Sequence, residues 1–238
     1  MAGKVTELLG GFIIIGLTFT LGIIFSTGSG NWPALLLIDL VLLVPLAYLL
    51  NNALLLVLSA VLFFTWFGGV TGYASGWGMY WFGMNYPLRF LGIAGVIIGL
   101  AVVHLEIEKG FFSRYRGFFK VWLSTGLFFG EMALWLLSLF GNFGDIDSWH
   151  IAETGELVLF NFLWAVASGL LLFIGIRKSV RMLVGYGATF LIIQIYTLFF
   201  AHVADKLDPF LALFLVGSCT LGLVMYVERL RRARRQDR

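Results

Sequence analysis

The sequence predicts an all-α fold, a bundle of eight membrane-spanning helices with both termini on the cytoplasmic side. Of the 238 residues, 60% are hydrophobic and only 12% charged, and the mean hydropathy is +0.95. A soluble domain carries about 25% charged residues. The apolar residues fall in runs near the ~20 needed to cross ~30 Å of hydrocarbon as a helix, the form that satisfies its own backbone there. Fourteen of the sixteen Lys and Arg residues fall in alternate connections between these runs, as expected if those connections are cytoplasmic.

The expected spans are Leu8–Ser26, Trp32–Leu50, Ala53–Gly69, Leu88–Leu105, Phe118–Phe140, Leu157–Ile176, Val180–Val203 and Pro209–Val227. The first is longer than the ~7–15-residue core of a signal peptide and lacks a small-residue cleavage site, so it is expected to stay attached. Asn51 and Asn52 divide the second span from the third. With the N-terminus inside, Lys4, the Lys109–Lys120 segment, Arg177 to Arg181 and the tail from Arg229 all face the cytoplasm. Arg89 and Lys206 are the exceptions, and the outer connections hold Asp145, Asp147, Glu153, Glu156, Asp205 and Asp208. Residues 1–228 thus form one transmembrane domain and 229–238 a basic tail.

Three connections have character of their own. The outer segment Val70–Pro87 is uncharged and carries Tyr73, Trp77, Tyr80, Trp81 and Tyr86, rings that favour the headgroup region. It reads as an interfacial aromatic flap, with a lid over an outward cavity as the alternative. The inner segment Glu108–Lys120 sets Phe111, Phe112, Tyr115, Phe118 and Phe119 against Lys109, Arg116 and Lys120, the pattern of a short in-plane helix. The outer loop Gly141–Glu156 contains Asp145, Asp147, His150 and Glu153, a set able to ligate a cation, although acidic outer loops follow from topology alone. Gly99–Glu106 and Gly222–Glu228 form a short internal similarity that would divide the bundle into parallel halves.

Ionisable groups in the interior of a span are site candidates because hydrocarbon penalises them. Asp39 and Glu131 are such groups; Asp39 lies about 10 Å in from Trp32 at ~1.5 Å per residue. Pro45 leaves the Val41 carbonyl without its helical donor. Asn161, Gln194 and Tyr196 sit at similar depth, with Arg89, Glu156 and His202 nearer the outer surface. Together they are expected to line a polar pocket of a proton- or cation-coupled permease for a small solute. The alternative is a non-catalytic scaffold for a membrane protein partner, in which these groups bond between helices. An intramembrane enzyme using Glu131 and His202 as acid and base is a third reading. A solvent-connected cavity reaching Asp39 or Glu131 would favour transport, and a dry bundle the scaffold.

Several classes are excluded. No lysine lies in a span interior to hold retinal, and His104, His150 and His202 are too peripheral for a haem pair. No H-E-x-x-H, G-x-S-x-G or P-loop motif occurs, so no cofactor, metal centre or catalytic set is assigned. The single cysteine, Cys219, lies in an apolar run. Gly95-x-x-x-Gly99, Gly126-x-x-x-Gly130 and Ser218-x-x-x-Gly222 allow close helix contact within the chain or between chains. The basic residues adjoin spans, so their partners are anionic lipid headgroups rather than nucleic acid. Arg229, Arg231, Arg232, Arg234 and Arg235 form the strongest lipid-binding cluster.

Glu156 through Asn161, Arg181 leading to Gly185-Tyr186-Gly187, Gln194 to Tyr196, Asp205 through Asp208, Gly217 and Glu228-Arg229 carry a resemblance. The segment Glu156–Arg235 resembles the C-terminal part of a bacterial family of polytopic membrane proteins catalogued as a domain of unknown function. Members often carry a soluble region before the first span; this sequence starts almost directly with a span, so any role of that region is not expected to carry over. The resemblance implies a multi-pass topology and no particular activity. The expected location is a bacterial inner membrane.

Reporter fusions or cysteine accessibility at Ser148 and Arg235 are expected to place these positions on opposite sides of the membrane. Finding both on one side would refute the eight-span topology.

Overall fold

The computed structural model describes residues 2–25, 32–71, 80–110, 113–144, 146–202 and 206–208, and isolated positions between 210 and 225. The helices are α1 (Ala2–Ile24), α2 (Trp32–Leu49), α3 (Ala53–Thr71), α4 (Tyr86–Glu108), α5 (Phe118–Phe140), α6 (Thr154–Arg177) and α7 (Arg181–His202). Among the described residues, seven helices are long and apolar enough to cross a membrane, and the chain is a multi-pass helical membrane protein. Phe210, Leu211, Phe214, Leu215, Gly217, Ser218, Leu221, Gly222 and Met225 are helical. The rest of Pro209–Val227, the Gly222–Glu228 half of the internal similarity and the arginine tail lie outside the described residues.

The α2–α3 and α6–α7 turns use the same geometry. Asn51 and Ser179 adopt left-handed backbone at φ 51° and 55°. Asn52 N–H then donates to the Ala47 carbonyl at 2.9 Å and Val180 N–H to the Gly175 carbonyl at 2.9 Å, closing each helix with a Schellman-type bond. Asn52 also begins α3, accepting from Leu54 N at 2.9 Å through its side chain, as an N-cap does.

Phe82 and Gly83, at φ 50° and 71°, form the two-residue turn of a small antiparallel hairpin. Its strands are β1 (Tyr80–Trp81) and β2 (Met84–Asn85), and two left-handed turn residues suit the strand twist. The described part of the aromatic segment is therefore a hairpin running into α4; Tyr73 and Trp77 lie outside the described residues.

The expected in-plane helix does not form as one element. Its described part is a single 3-10 turn, Ser113–Tyr115, between the end of α4 and the start of α5. Gly117, at φ 105°, reverses the chain there. Tyr115 and Phe118 turn inward, each ring 5.1 Å from that of Tyr48.

Packing is strongest between α4 and α5, α6 and α7, and α2 and α3, while α3 touches α4 only lightly. Three apolar clusters result: one on α2 and α3 around Leu43, Leu55 and Leu56, one around Phe64, Ala94 and Ile97, and one around Leu134, Trp164 and Phe190. The two described Gly-x-x-x-Gly motifs behave differently. A Cβ at Gly126 would lie 2.9 Å from Ile98 and 3.3 Å from the Ala94 carbonyl, so this motif is the α4–α5 contact, whereas a Cβ at Gly95 or Gly99 meets nothing within 4 Å.

Gly126→Val is expected to lower stability by about 1–3 kcal/mol through overpacking. Gly95→Ala should leave it unchanged or raise it by up to ~1 kcal/mol through helix propensity. Thermal unfolding of both variants in one detergent checks the pair.

Candidate functional site

Polar side chains within the bundle gather at both of its ends and at several places in its interior. At one end, Asn52 Nδ2 donates to the Lys4 carbonyl at 2.9 Å and to Glu7 Oε2 at 2.8 Å, tying α1 to the α2–α3 turn. On the same side Glu108 accepts from Gly117 N–H through Oε2 and from Phe119 N–H through Oε1, both at 2.7 Å. His104 Nδ1 lies 2.8 Å from Glu108 Oε1, its Nε2 lies 2.9 Å from the Tyr48 hydroxyl, and Trp122 Nε1 donates to that hydroxyl at 3.2 Å. One proton assignment serves the two hydrogen bonds, Trp122 to Tyr48 and Tyr48 to His104 Nε2, while His104 Nδ1 lies within ion-pair distance of Glu108.

At the other end, Asn85 caps α4, accepting from Leu88 N at 3.1 Å. Its own N–H donates to Asn142 Oδ1 at 2.7 Å and its side chain to the Gly141 carbonyl at 2.8 Å. Asn142 N–H donates to Glu156 Oε1 at 2.8 Å. Arg89, only 2% exposed, donates to the carbonyls of Thr71 and Asn85 and lies over the Tyr86 ring. Arg89 and Glu156, expected beside a pocket, thus brace the chain connections.

The interior holds the two carboxyl candidates in different surroundings. Glu131 on α5 is 3% exposed, and its Oε2 accepts from Trp164 Nε1 at 2.9 Å and Ser168 Oγ at 2.7 Å, both on α6. Seven residues along each helix, about two turns and ~10 Å away, lies a second layer. There Asn161 Nδ2 donates to the Ser138 carbonyl at 2.9 Å, and Gln194 Nε2 donates to the Asn161 carbonyl at 2.7 Å. Tyr196 is half-buried on α7. His202 is the last residue of α7, and its side chain lies outside the described residues.

Asp39 on α2 belongs to the α1–α3 side of the bundle. It is 0% exposed, and neither carboxyl oxygen has a hydrogen-bond partner among the described residues. Thr18 of α1 faces it, but that hydroxyl donates to the Ile14 carbonyl at 3.0 Å. The structure therefore joins Glu131 to α6 and Asn161 to Gln194, and sets Asp39 apart from both.

Among the described residues, two cavities can be traced between helices. One, of about 420 Å³, is lined by residues of α3, α4 and α5 including Phe63, Val96, Leu100, His104 and Trp122. The other, of about 430 Å³, lies against α2 and includes Val41, Pro45, Phe63, Trp66 and Trp122. Neither reaches Asp39 or Glu131. Asp145 of the acidic loop lies outside the described residues, among which no three His, Cys, Asp or Glu side chains gather as a metal site.

Sequence reasoning missed the Glu108, His104, Tyr48 and Trp122 network. His104 and Glu108 are four apart on one helix face, a readable signal, but nothing in the sequence pairs them with Tyr48. Compared with known proteins, the chain matches no family model, no curated protein and no solved structure.

Ser168→Ala removes one of the two donors to Glu131 and is expected to cost about 1–3 kcal/mol. In a double-mutant cycle with Glu131→Gln, the two effects should fall short of additive by at least ~0.5 kcal/mol. Additive losses in detergent unfolding would show that the bond contributes nothing.

Proposed function

We propose that the chain is an eight-span, N-in/C-in protein of a bacterial inner membrane that acts as a proton- or cation-coupled permease for a small solute, with Asp39 as its coupling group. The observation that carries this reading is the complete burial of a carboxyl with no hydrogen-bond partner among the described residues. A buried charge without a fixed partner serves no packing purpose and suits a group that binds a mobile ion. Neither of the two described cavities meets Asp39, so the reading rests on the carboxyl itself and not on a solvent path to it.

The topology is supported by the alternation of bonded layers. Lys4, Asn52, Glu108 and Gly117 meet at one end, and Thr71, Asn85, Gly141 and Glu156 at the other. The basic connections adjoin the first group, which makes that end cytoplasmic under the positive-inside rule. An eighth span returns the tail to that side, where Arg229, Arg231, Arg232, Arg234 and Arg235 meet anionic headgroups. The resemblance of Glu156–Arg235 to an uncharacterised polytopic family belongs to the same proposal.

A second reading, a scaffold for a membrane protein partner, is favoured by Gly92, Gly95 and Gly99, which present an exposed face of α4 on which none of the described residues packs. The test is proton movement in proteoliposomes that enclose a pH-sensitive dye and are challenged with sugars, amino acids and organic acids. Permease function predicts that at least one solute dissipates an imposed pH gradient, and that Asp39→Asn slows this about tenfold or more, the equivalent of ~1.4 kcal/mol. Equal rates in both proteins would refute the role of Asp39. No response to any solute, together with a membrane partner lost on Gly95→Leu substitution, would establish the scaffold.

A further inference from the structure

The two cavities adjoin each other and share Phe63 and Trp122 as a common wall. The first runs along α4 from Ile93 to Ile107, about 21 Å at ~1.5 Å per residue. That exceeds the ~15 Å of hydrocarbon in one leaflet. α3 and α4 meet through side chains, Phe64 packing on Ala94 and Ile97, and Trp122 of α5 also lines the trough. Apart from His104 and the Trp122 indole, the lining is hydrocarbon and phenyl surface. At ~420 Å³ it falls within the range of small-molecule sites.

The end of this trough is not apolar. His104, with 14% of its side chain exposed, lies at the level where α4 gives way to the basic segment. Arg114, Arg116 and Lys120 are exposed there. The acidic groups nearby are already engaged: Glu106 pairs with Lys109 at 2.7 Å, and Glu108 is buried under the Gly117 and Phe119 amides. Among the described residues, the exposed and otherwise unengaged charges of this connection, Arg114, Arg116 and Lys120, are thus cationic, at the end of α4 that the first trough approaches through His104 and Ile107.

The geometry points to a specific binding site for an anionic diacyl phospholipid of the leaflet on the Glu108 side. One acyl chain lies in each trough, astride Phe63 and Trp122, and the phosphate lies against Arg114, Arg116 and Lys120. A single-chain amphiphile would leave one trough unfilled, and a zwitterionic headgroup would not answer the cations. This site stands apart from the Asp39 reading and does not depend on it.

The test uses the full chain in nanodiscs of mixed phosphatidylglycerol and phosphatidylcholine, followed by detergent exchange and native mass spectrometry of retained lipid. One phosphatidylglycerol should remain per chain, at least about tenfold enriched over phosphatidylcholine. Val103→Trp and Val41→Trp place bulk in the first and second trough from positions 54% and 65% exposed, and each should lower retention about tenfold. In a background in which Arg229, Arg231, Arg232, Arg234 and Arg235 are replaced by Gln, so that the tail holds no lipid, Arg114→Gln, Arg116→Gln and Lys120→Gln together should abolish the enrichment. Variants are compared where elution volume and unfolding midpoint match the parent, with Leu100→Trp, 57% exposed, replacing a first-trough variant that does not fold. Equal retention of both lipids by the parent overturns the site. Loss on neutralisation with full retention in both tryptophan variants also overturns it, because the basic surface would then suffice without the troughs.

Discussion

Hydrocarbon supplies no hydrogen-bond partner, so a polar group inside the membrane must be satisfied by the chain itself. This constraint organises the bundle at both ends. Asn52 binds α1 to the start of α3, and Glu108 binds the end of α4 to the approach to α5. Opposite them, Asn85, Asn142 and Glu156 join the hairpin, the α5–α6 connection and the start of α6. Short side chains with both donors and acceptors recur because each can satisfy two backbone segments at once. Arg89 extends the same principle to a charge by resting its guanidinium on two carbonyls.

Between these layers the helices associate without a hydrophobic driving force, because lipid tails are as apolar as their side chains. Close approach takes its place. A Cβ at Gly187 would lie 2.5 Å from the Leu172 amide, and one at Gly175 2.6 Å from the Val184 amide, so these two positions let α6 and α7 meet backbone to backbone. Gly126 does the same for α4 and α5. The α3–α4 boundary is held by side chains instead, Phe64 against Ala94 and Ile97 and Gly68 beside Phe90, and the first trough opens along it.

The span lengths were legible in the sequence because membrane thickness sets them. α2 and α5 fall within a residue of the expected ends, and α1 departs most, starting at Ala2 and carrying Lys4 and Glu7 into the helix. Which face of each helix is buried was not legible, since helices apolar all round show no periodic stripe. Gly95-x-x-x-Gly99 and Gly126-x-x-x-Gly130 are the same motif in sequence, yet one faces outward and the other is packed. The inner segment misled for a related reason: its aromatic spacing fits a helix, but Gly117 breaks the chain there and Phe118 serves the core. Asp39 and Glu131 were legible as candidates from their depth alone, while their partners were not.

The contrast between those two carboxyls separates structure from function. Glu131 holds α5 to α6 through two donors, and removing it would leave Trp164 and Ser168 with unpaired polar groups. Its presence is sufficiently explained by the fold. Asp39 makes no such bond among the described residues, so an apolar residue of similar size would remove a desolvation cost and break nothing. Packing therefore gives no reason for a carboxyl at this position. Among the described residues, the cost of burying Asp39 beside Thr18 is therefore not offset by bonds of the kind that hold Glu131 to α6.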